Sequence, residues 1–156
     1  MPQRSCLTPL GSLSVSEEDG AIVALDWGQG RDQDDTPLLR RACDQLQRYF
    51  DGAAVGFDLP LAPAGTAFQR RVWDALRSIP AGETRSYGAL AAMLGSSARA
   101  IGGANAANPI PILIPCHRVV GAAGALGGYS GGDGEPTKRF LLALEARSAA
   151  PAGVPR

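Results

Sequence analysis

The chain contains a single histidine and only three cysteines, and neither residue type is arranged for metal. Cys6, Cys43 and Cys116 lie far apart with no C-x-x-C pair, so together with His117 they do not read as a zinc site. An odd number of unpatterned cysteines suits free thiols in a reducing compartment, and a cytoplasmic protein is expected. No stretch approaches the roughly 18 uninterrupted apolar residues of a membrane span, and the N-terminus lacks the basic-then-apolar order of a signal peptide. No membrane partner is expected. At 156 residues the chain is long enough to bury about 68–70% of its unfolded surface in one domain or a small pair, so folding needs neither metal nor disulfide.

Net charge is also absent, which taken alone argues against a nucleic-acid partner. The charges are nonetheless unevenly placed. Residues 1–65 carry 5 Arg against 10 Asp and Glu, whereas residues 66–156 carry 10 Lys and Arg against 5 Asp and Glu. Any phosphate-facing surface therefore belongs to the C-terminal half, although two solvated faces would leave the same imbalance.

What is present is a run of short, well-punctuated elements. Leu10 to Ser16 alternates apolar and small polar residues, Glu17-Glu18-Asp19-Gly20 is a turn, and Ala21 to Trp27 is a second apolar run, which together predict a β-hairpin. Thr36-Pro37 offers an N-cap and a first-turn proline to a helix over about 37–50, with Leu38, Leu39, Ala42, Leu46, Tyr49 and Phe50 at helical spacing. Val55 to Leu61 reads as a short third strand, and Ala62-Pro63-Ala64-Gly65 as a linker. Thr66 then caps a helix whose Phe68, Val72, Leu76 and Ile79 form one buried stripe. A further helix fits Ser86 to Leu94, Gly95-Ser96-Ser97 breaks it, and another runs from Ala98 to about Ala106. That pair has the spacing of a helix-turn-helix, or of two packed neighbours.

The second helix of the pair is almost wholly small residues, and Gly102-Gly103 gives up about 2 kcal/mol of helix propensity. Either another element packs tightly there, or the backbone must approach a bulky partner such as DNA. Arg99 is the lone large cation near the start of this bare helix and should project beyond its neighbours. Asn108-Pro109-Ile110-Pro111 is predicted to be extended and stiff, since each proline biases its predecessor away from helix. It leads into Ile114-Pro115-Cys116-His117-Arg118, an apolar stretch in which an imidazole and a guanidinium must find partners. A glycine-rich loop from Gly121 to Gly134 holds Tyr129 and Ser130. A last helix over about 137–146 presents Phe140, Leu141 and Leu144, and the tail from Ser148 is expected to be disordered.

Any histidine-dependent chemistry must run through His117. Making thiolate the majority form of Cys116 requires lowering its pKa by about 2 units, or ~2.7 kcal/mol, and an adjacent imidazole oriented by a carboxylate supplies such stabilisation. Consecutive side chains of an extended strand face opposite ways, so Cys116 and His117 need a bend or a bridging water, and the water is preferred. Glu145 is the acidic residue of the C-terminal half that sits on an amphipathic helix. It is either the orienting carboxylate or a surface charge near a helix end.

The strings Gly65-Thr66-x-Phe68-Gln69-x-x-Val72-Trp73-x-Ala75-Leu76, Ile79-Pro80-x-Gly82-x-Thr84-x-Ser86-Tyr87-Gly88 and Asn108-Pro109 through Pro115-Cys116-His117-Arg118-Val119 resemble the O6-alkylguanine-DNA alkyltransferases. The similarity is continuous from about residue 65 to 146. It implies that Cys116 accepts the alkyl group, activated by His117 and Glu145 through a bridging water, with Asn108 joining the recognition helix to the active-site segment. It further implies that Arg99 fills the space left by a rotated nucleotide, that Tyr87 assists rotation and contacts the base, and that Ala98, Gly102 and Ala106 lie against the minor groove. Pro111, Val119 (through its carbonyl), Tyr129 and Ser130 would form the pocket. Some relatives bind zinc near the N-terminus, but the residues for it are missing here, and no metal or cofactor is expected.

The expected fold is α+β: an N-terminal antiparallel sheet with one helix over 1–62, a mostly helical region containing the helix-turn-helix over 63–147, and a tail over 148–156. The expected activity is single-turnover transfer from O6 of guanine, and also O4 of thymine, in double-stranded DNA, by a monomer. The alternatives are a lesion-binding module without chemistry and a Cys-His-Glu hydrolase.

Overall fold

In the computed structural model, residues 1–53, 56–126, 129 and 131–148 are described. Strands β1 (Gln3–Thr8), β2 (Gly11–Glu18) and β3 (Ala21–Trp27) form an antiparallel meander. Asp19 and Gly20, at φ 51° and 80°, make the tight turn between β2 and β3; Asp-Gly supplies the left-handed conformations that such a turn needs. β1 was not predicted. Its one large apolar residue, Leu7, is 75% exposed while Cys6 and Thr8 face inward, so the hydrophobic alternation that announces a strand is missing.

Helix α1 (Pro37–Phe50) starts where Thr36 accepts the Leu39 amide, and buries Leu39, Ala42, Leu46, Tyr49 and Phe50. Cys6 of β1 and Cys43 of α1 are joined in a disulfide, with Cα atoms 5.7 Å apart. This corrects the reading of three free thiols: proximity created by packing α1 on the sheet makes the pair, and no spacing rule could reveal it. Cysteine usage therefore gives no argument for a reducing compartment, and Cys116 is the free thiol.

The strand predicted over Val55–Leu61 is also corrected. Among the described residues of that stretch only Leu61 pairs, in a parallel bridge to Ile22, with the Ile22 amide bonded to the Pro60 carbonyl. Pro60 has no amide to continue a ladder. Residues 54 and 55 lie outside the described set.

Thr66 and Gln69 form a reciprocal capping box on α2 (Ala67–Arg77), which buries Val72, Trp73 and Leu76. Strand β4 (Arg85–Ser86) passes directly into α3 (Tyr87–Leu94), capped by the Ser86 hydroxyl and closed by Gly95 in the left-handed conformation. Ser97 then caps α4 (Ala98–Ala106), so α3 and α4 are joined by the Gly95-Ser96-Ser97 turn. A short 3-10 turn, Cys116–Arg118, leads to β5 (Val119–Val120), parallel to β4. Helix α5 (Glu135–Ser148) closes the described chain and includes Ser148, assigned above to the tail; residues 149–156 are outside the described set. No helix of the described residues is long and apolar enough to cross a membrane.

One cluster of buried apolar side chains joins both halves, from Leu13, Val15 and Ile22 through Leu46 and Trp73 to Ile101, Ile114 and Leu141. The Leu25 amide bonds the Pro109 carbonyl, so β3 is tied to the segment before Cys116.

Candidate active site

The Asn108–Pro111 segment does not run extended, as its prolines suggested, but opens a fold-back that closes at Ile114. The Asn108 carboxamide accepts the Ile110 amide and donates to the Ile114 carbonyl at 2.9 Å, while the Leu113 amide bonds Pro111. Ile112 is thereby forced to φ 72°. A β-branched residue there costs about 1–3 kcal/mol, which burial of the whole 110–120 segment must offset. Asn108 thus acts as a clamp that one polar side chain provides where proline alone would keep the chain straight.

The same fold-back delivers Cys116 to the start of a 3-10 turn, in which successive side chains point about a third of a turn apart rather than to opposite faces. Cys116 lines a cavity of about 230 Å³ with Asn105, Asn108, Pro111, Tyr129 and, from β3, Trp27. His117 and Arg118 turn the other way, into the protein. Glu145 meets them there, 1% exposed. Its Oε2 accepts from His117 Nε2 at 2.6 Å, from Tyr49 Oη at 2.6 Å and from Arg118 Nη2 at 2.9 Å, and its Oε1 accepts Arg118 Nε at 2.9 Å.

Burial alone would raise the Glu145 pKa, but hydrogen bonds and charge from His117 and Arg118 outweigh it and hold the group at about 2. An ionised Glu145 can only accept, so His117 Nε2 carries the proton and Nδ1 presents a lone pair. His117 Nδ1 has no protein partner among the described residues. Burial lowers the His117 pKa against the pull of Glu145, whose charge Arg118 already balances, and the imidazole rests neutral. The Cys116 pKa is raised by burial, with Asn108 and the Lys138 charge opposing. The resting sulfur is therefore a thiol: the cleft removes more hydration than its neighbours replace.

These directions predict acid sensitivity. Glu145 has a depressed folded pKa, so its stabilisation is present above the unfolded value of 4.5 and is lost as pH falls toward about 2. His117, also depressed, favours the unfolded state once pH drops below 6.5. Both act in one direction. The unfolding free energy from urea titrations should fall steadily below about pH 6, by up to about 3 kcal/mol for Glu145 alone, and a flat profile to about pH 3 contradicts the assignment.

The structure separates the other expected residues into two groups. Tyr87, Ala98, Arg99 and Gly102 line an open cleft of about 750 Å³ on the α3–α4 surface, not the cavity beside Cys116. Ala106, expected with them, lines the Cys116 cavity. A Cβ built on Gly103 meets nothing within 4 Å, and one on Gly102 meets only Tyr87 at 4.0 Å. Tight packing within the described chain does not explain these glycines. Val119 is fully buried, and its carbonyl accepts Lys138 Nζ at 2.6 Å. Ser130 lies outside the described residues.

Four participants were missed. Sequence alone gives Arg118 no role beyond its place beside His117, and Tyr49 reaches Glu145 from α1, 96 positions away. Asn105 donates to the Cys116 carbonyl at 3.1 Å. Lys138 is fully buried, 5.9 Å from the Tyr87 ring centroid. A signal for it existed: it is the chain's only lysine, seven positions before Glu145 on the same helix face.

Residues 4–63 match the family described as "6-O-methylguanine DNA methyltransferase, ribonuclease-like domain", and residues 67–147 match its "DNA binding domain". The constitutive methylated-DNA–protein-cysteine methyltransferase of Bacillus subtilis is 46% identical over 151 residues, covering 88% of this chain and 91% of that one. The methylated-DNA–protein-cysteine methyltransferase of Mycobacterium tuberculosis is 56% identical over 113 residues, 71% of this chain and 67% of that one. A crystal structure of Mycobacterium tuberculosis OGT in complex with DNA superposes with a TM-score of 0.84 at 44% identity, covering 96% and 95% of the two chains.

Proposed function

Because the chain belongs to the 6-O-methylguanine-DNA methyltransferase family, a DNA-binding group that repairs O6-methylguanine by transfer to a cysteine, we propose that Cys116 is the acceptor and is consumed in one event. The observation that carries this is the pairing of a free thiol, opening on a cavity, with a neutral imidazole whose other nitrogen is fixed on Glu145.

The thiol proton passes through a bridging water to His117 Nδ1, and Glu145 stabilises the imidazolium. The sulfur lone pair attacks the methyl carbon in line. The C–O6 bond breaks, its electrons return to the base, and the proton released by the thiol is made good at guanine N1. The products are guanine and a thioether. A thioether has no carbonyl for water to attack, and among the described residues no second free thiol lines the cavity to take the methyl group onward. The same displacement applies to O4-alkylthymine.

DNA binding falls to α4. Its outward residues, Ala98, Gly102, Gly103 and Ala106, are small enough to let the backbone approach the minor groove of double-stranded DNA, while Arg99 stands exposed at its start. Everting a nucleotide costs a few kcal/mol, and Arg99 filling the gap offsets part of it. Arg99→Ala should therefore slow repair in duplex about tenfold or more while sparing attack on the free base O6-methylguanine; single-turnover rates on both substrates check this. Equal losses would remove the finger role.

A further inference from the structure

We propose that Tyr49, from the N-terminal helix α1, is a positioning residue for the transfer: by sharing one oxygen of Glu145 with His117, it keeps the imidazole free to receive the thiol proton. This rests on the reading that Cys116 is the acceptor and His117 its relay. Glu145 Oε2 takes three donors, His117 Nε2 and Tyr49 Oη at 2.6 Å each and Arg118 Nη2 at 2.9 Å, while Oε1 takes Arg118 Nε. A carboxylate oxygen offers about two lone-pair sites, so the donors on Oε2 compete. The phenol cannot stand aside from that competition. Tyr49 is 4% exposed, and its ring is set against Phe50 and Phe57 at centroid distances of 5.1 and 5.3 Å. Burial, and then the Glu145 charge, push its pKa up, so the hydroxyl keeps its hydrogen and donates. A phenyl ring alone would fill this space; the hydroxyl is an addition aimed at the carboxylate that orients His117.

What the hydroxyl does follows from the proton transfer. His117 must begin neutral, with its hydrogen on Nε2 and a lone pair on Nδ1, because an imidazolium has no site left for the thiol proton. A carboxylate oxygen given more fully to Nε2–H would favour the imidazolium even at rest. The Tyr49 bond, at the short distance of a charge-assisted O–H···O pair, draws off part of that charge and lowers the proton affinity of the ring. Other groups face the pair from several elements. Arg118 on the 3-10 turn and Lys138 on α5 oppose His117 protonation by their charge, burial raises the Cys116 pKa and keeps it a thiol, and Tyr129 of the cavity wall feels the charges of Cys116 and Glu145. Of the donors on Glu145, Tyr49 can be removed without removing a charge or the relay itself. The N-terminal sheet and helix thereby act on chemistry carried by the C-terminal half.

His117 is the chain's only histidine, so imidazole resonances in heteronuclear NMR report it without ambiguity. The full-length chain is compared with Tyr49→Phe and with Tyr49→3-fluorotyrosine, whose more acidic phenol is the stronger donor. The His117 protonation midpoint should rise by about 1 unit in Tyr49→Phe and fall by about half a unit with the fluorinated ring. The acid limb of single-turnover methyl transfer from duplex O6-methylguanine should move in the same order and direction. A slowing that is the same at every pH, with the midpoint unmoved, would reduce Tyr49 to a brace for α1 and overturn the proposal. So would a midpoint that the fluorinated ring leaves in place, a comparison that holds even where Tyr49→Phe folds poorly. In each case methyl still arrives on Cys116; its absence there in the unsubstituted chain would overturn the acceptor assignment, and the relay with it.

Discussion

Cys116→Ala is expected to leave no measurable methyl transfer while duplex binding stays within about twofold, because the sulfur forms the new bond whereas Tyr87, Ala98, Arg99 and Gly102 line a separate cleft. No other thiol can substitute: Cys6 and Cys43 are bonded to each other in a disulfide, and Cys116 is the free cysteine. Removing one buried sulfur costs on the order of 1 kcal/mol, too little to unfold the chain. The pair of readouts separates the competing functions. A lesion-binding module would lose nothing in either assay, and residual transfer would place the acceptor elsewhere. Loss of both transfer and binding would mean that the α4 surface and the cavity are not independent. A hydrolase would release product repeatedly before substitution and show no dependence on DNA.

Glu145→Gln is expected to have the largest effect on stability. Donors from His117, Tyr49 and Arg118 converge on this carboxylate in four hydrogen bonds. A carboxamide offers one acceptor oxygen and turns an NH2 group toward the remaining donors. It also leaves the Arg118 guanidinium, whose side chain is 10% exposed, without a counter-charge. Breaking a buried pair from one side costs about 3–5 kcal/mol, which for a chain of this length lowers Tm by roughly 6–20 °C. Transfer should also slow by about 10²-fold, since His117 loses the group that fixes its tautomer and stabilises its charged form. Thermal unfolding and single-turnover kinetics report the two effects. A change under about 1 kcal/mol with an unaltered rate would show that the network neither braces the fold nor serves the thiol.

The local rules of sequence read the elements well where one face was buried and both ends carried a chemical signal. Thr36-Pro37 starts α1, Thr66 starts α2, and Ser86 and Ser97 frame the helix-turn-helix, each through a side-chain oxygen on a free amide. β1 escaped because its apolar residue faces solvent, and the 55–61 strand was over-read because apolar content stood in for pairing capacity. The site was legible only along the chain. Cys116, His117 and Arg118 are contiguous, and Glu145 follows from helix periodicity. Tyr49 and Trp27 arrive through packing of the N-terminal sheet and helix against the rest, and no periodicity marks such contacts. The rest state of the thiol was invisible for a related reason: burial sets it, and burial is a property of the assembled fold.

The most direct test of the central claim is the intact and peptide mass of the unsubstituted chain after incubation with excess duplex DNA containing O6-methylguanine. The account predicts a gain of one CH2 unit, located on Cys116, with lesion removal ceasing once every molecule carries it. An unmodified Cys116 beside repaired DNA, or lesions removed in excess of protein, would contradict it.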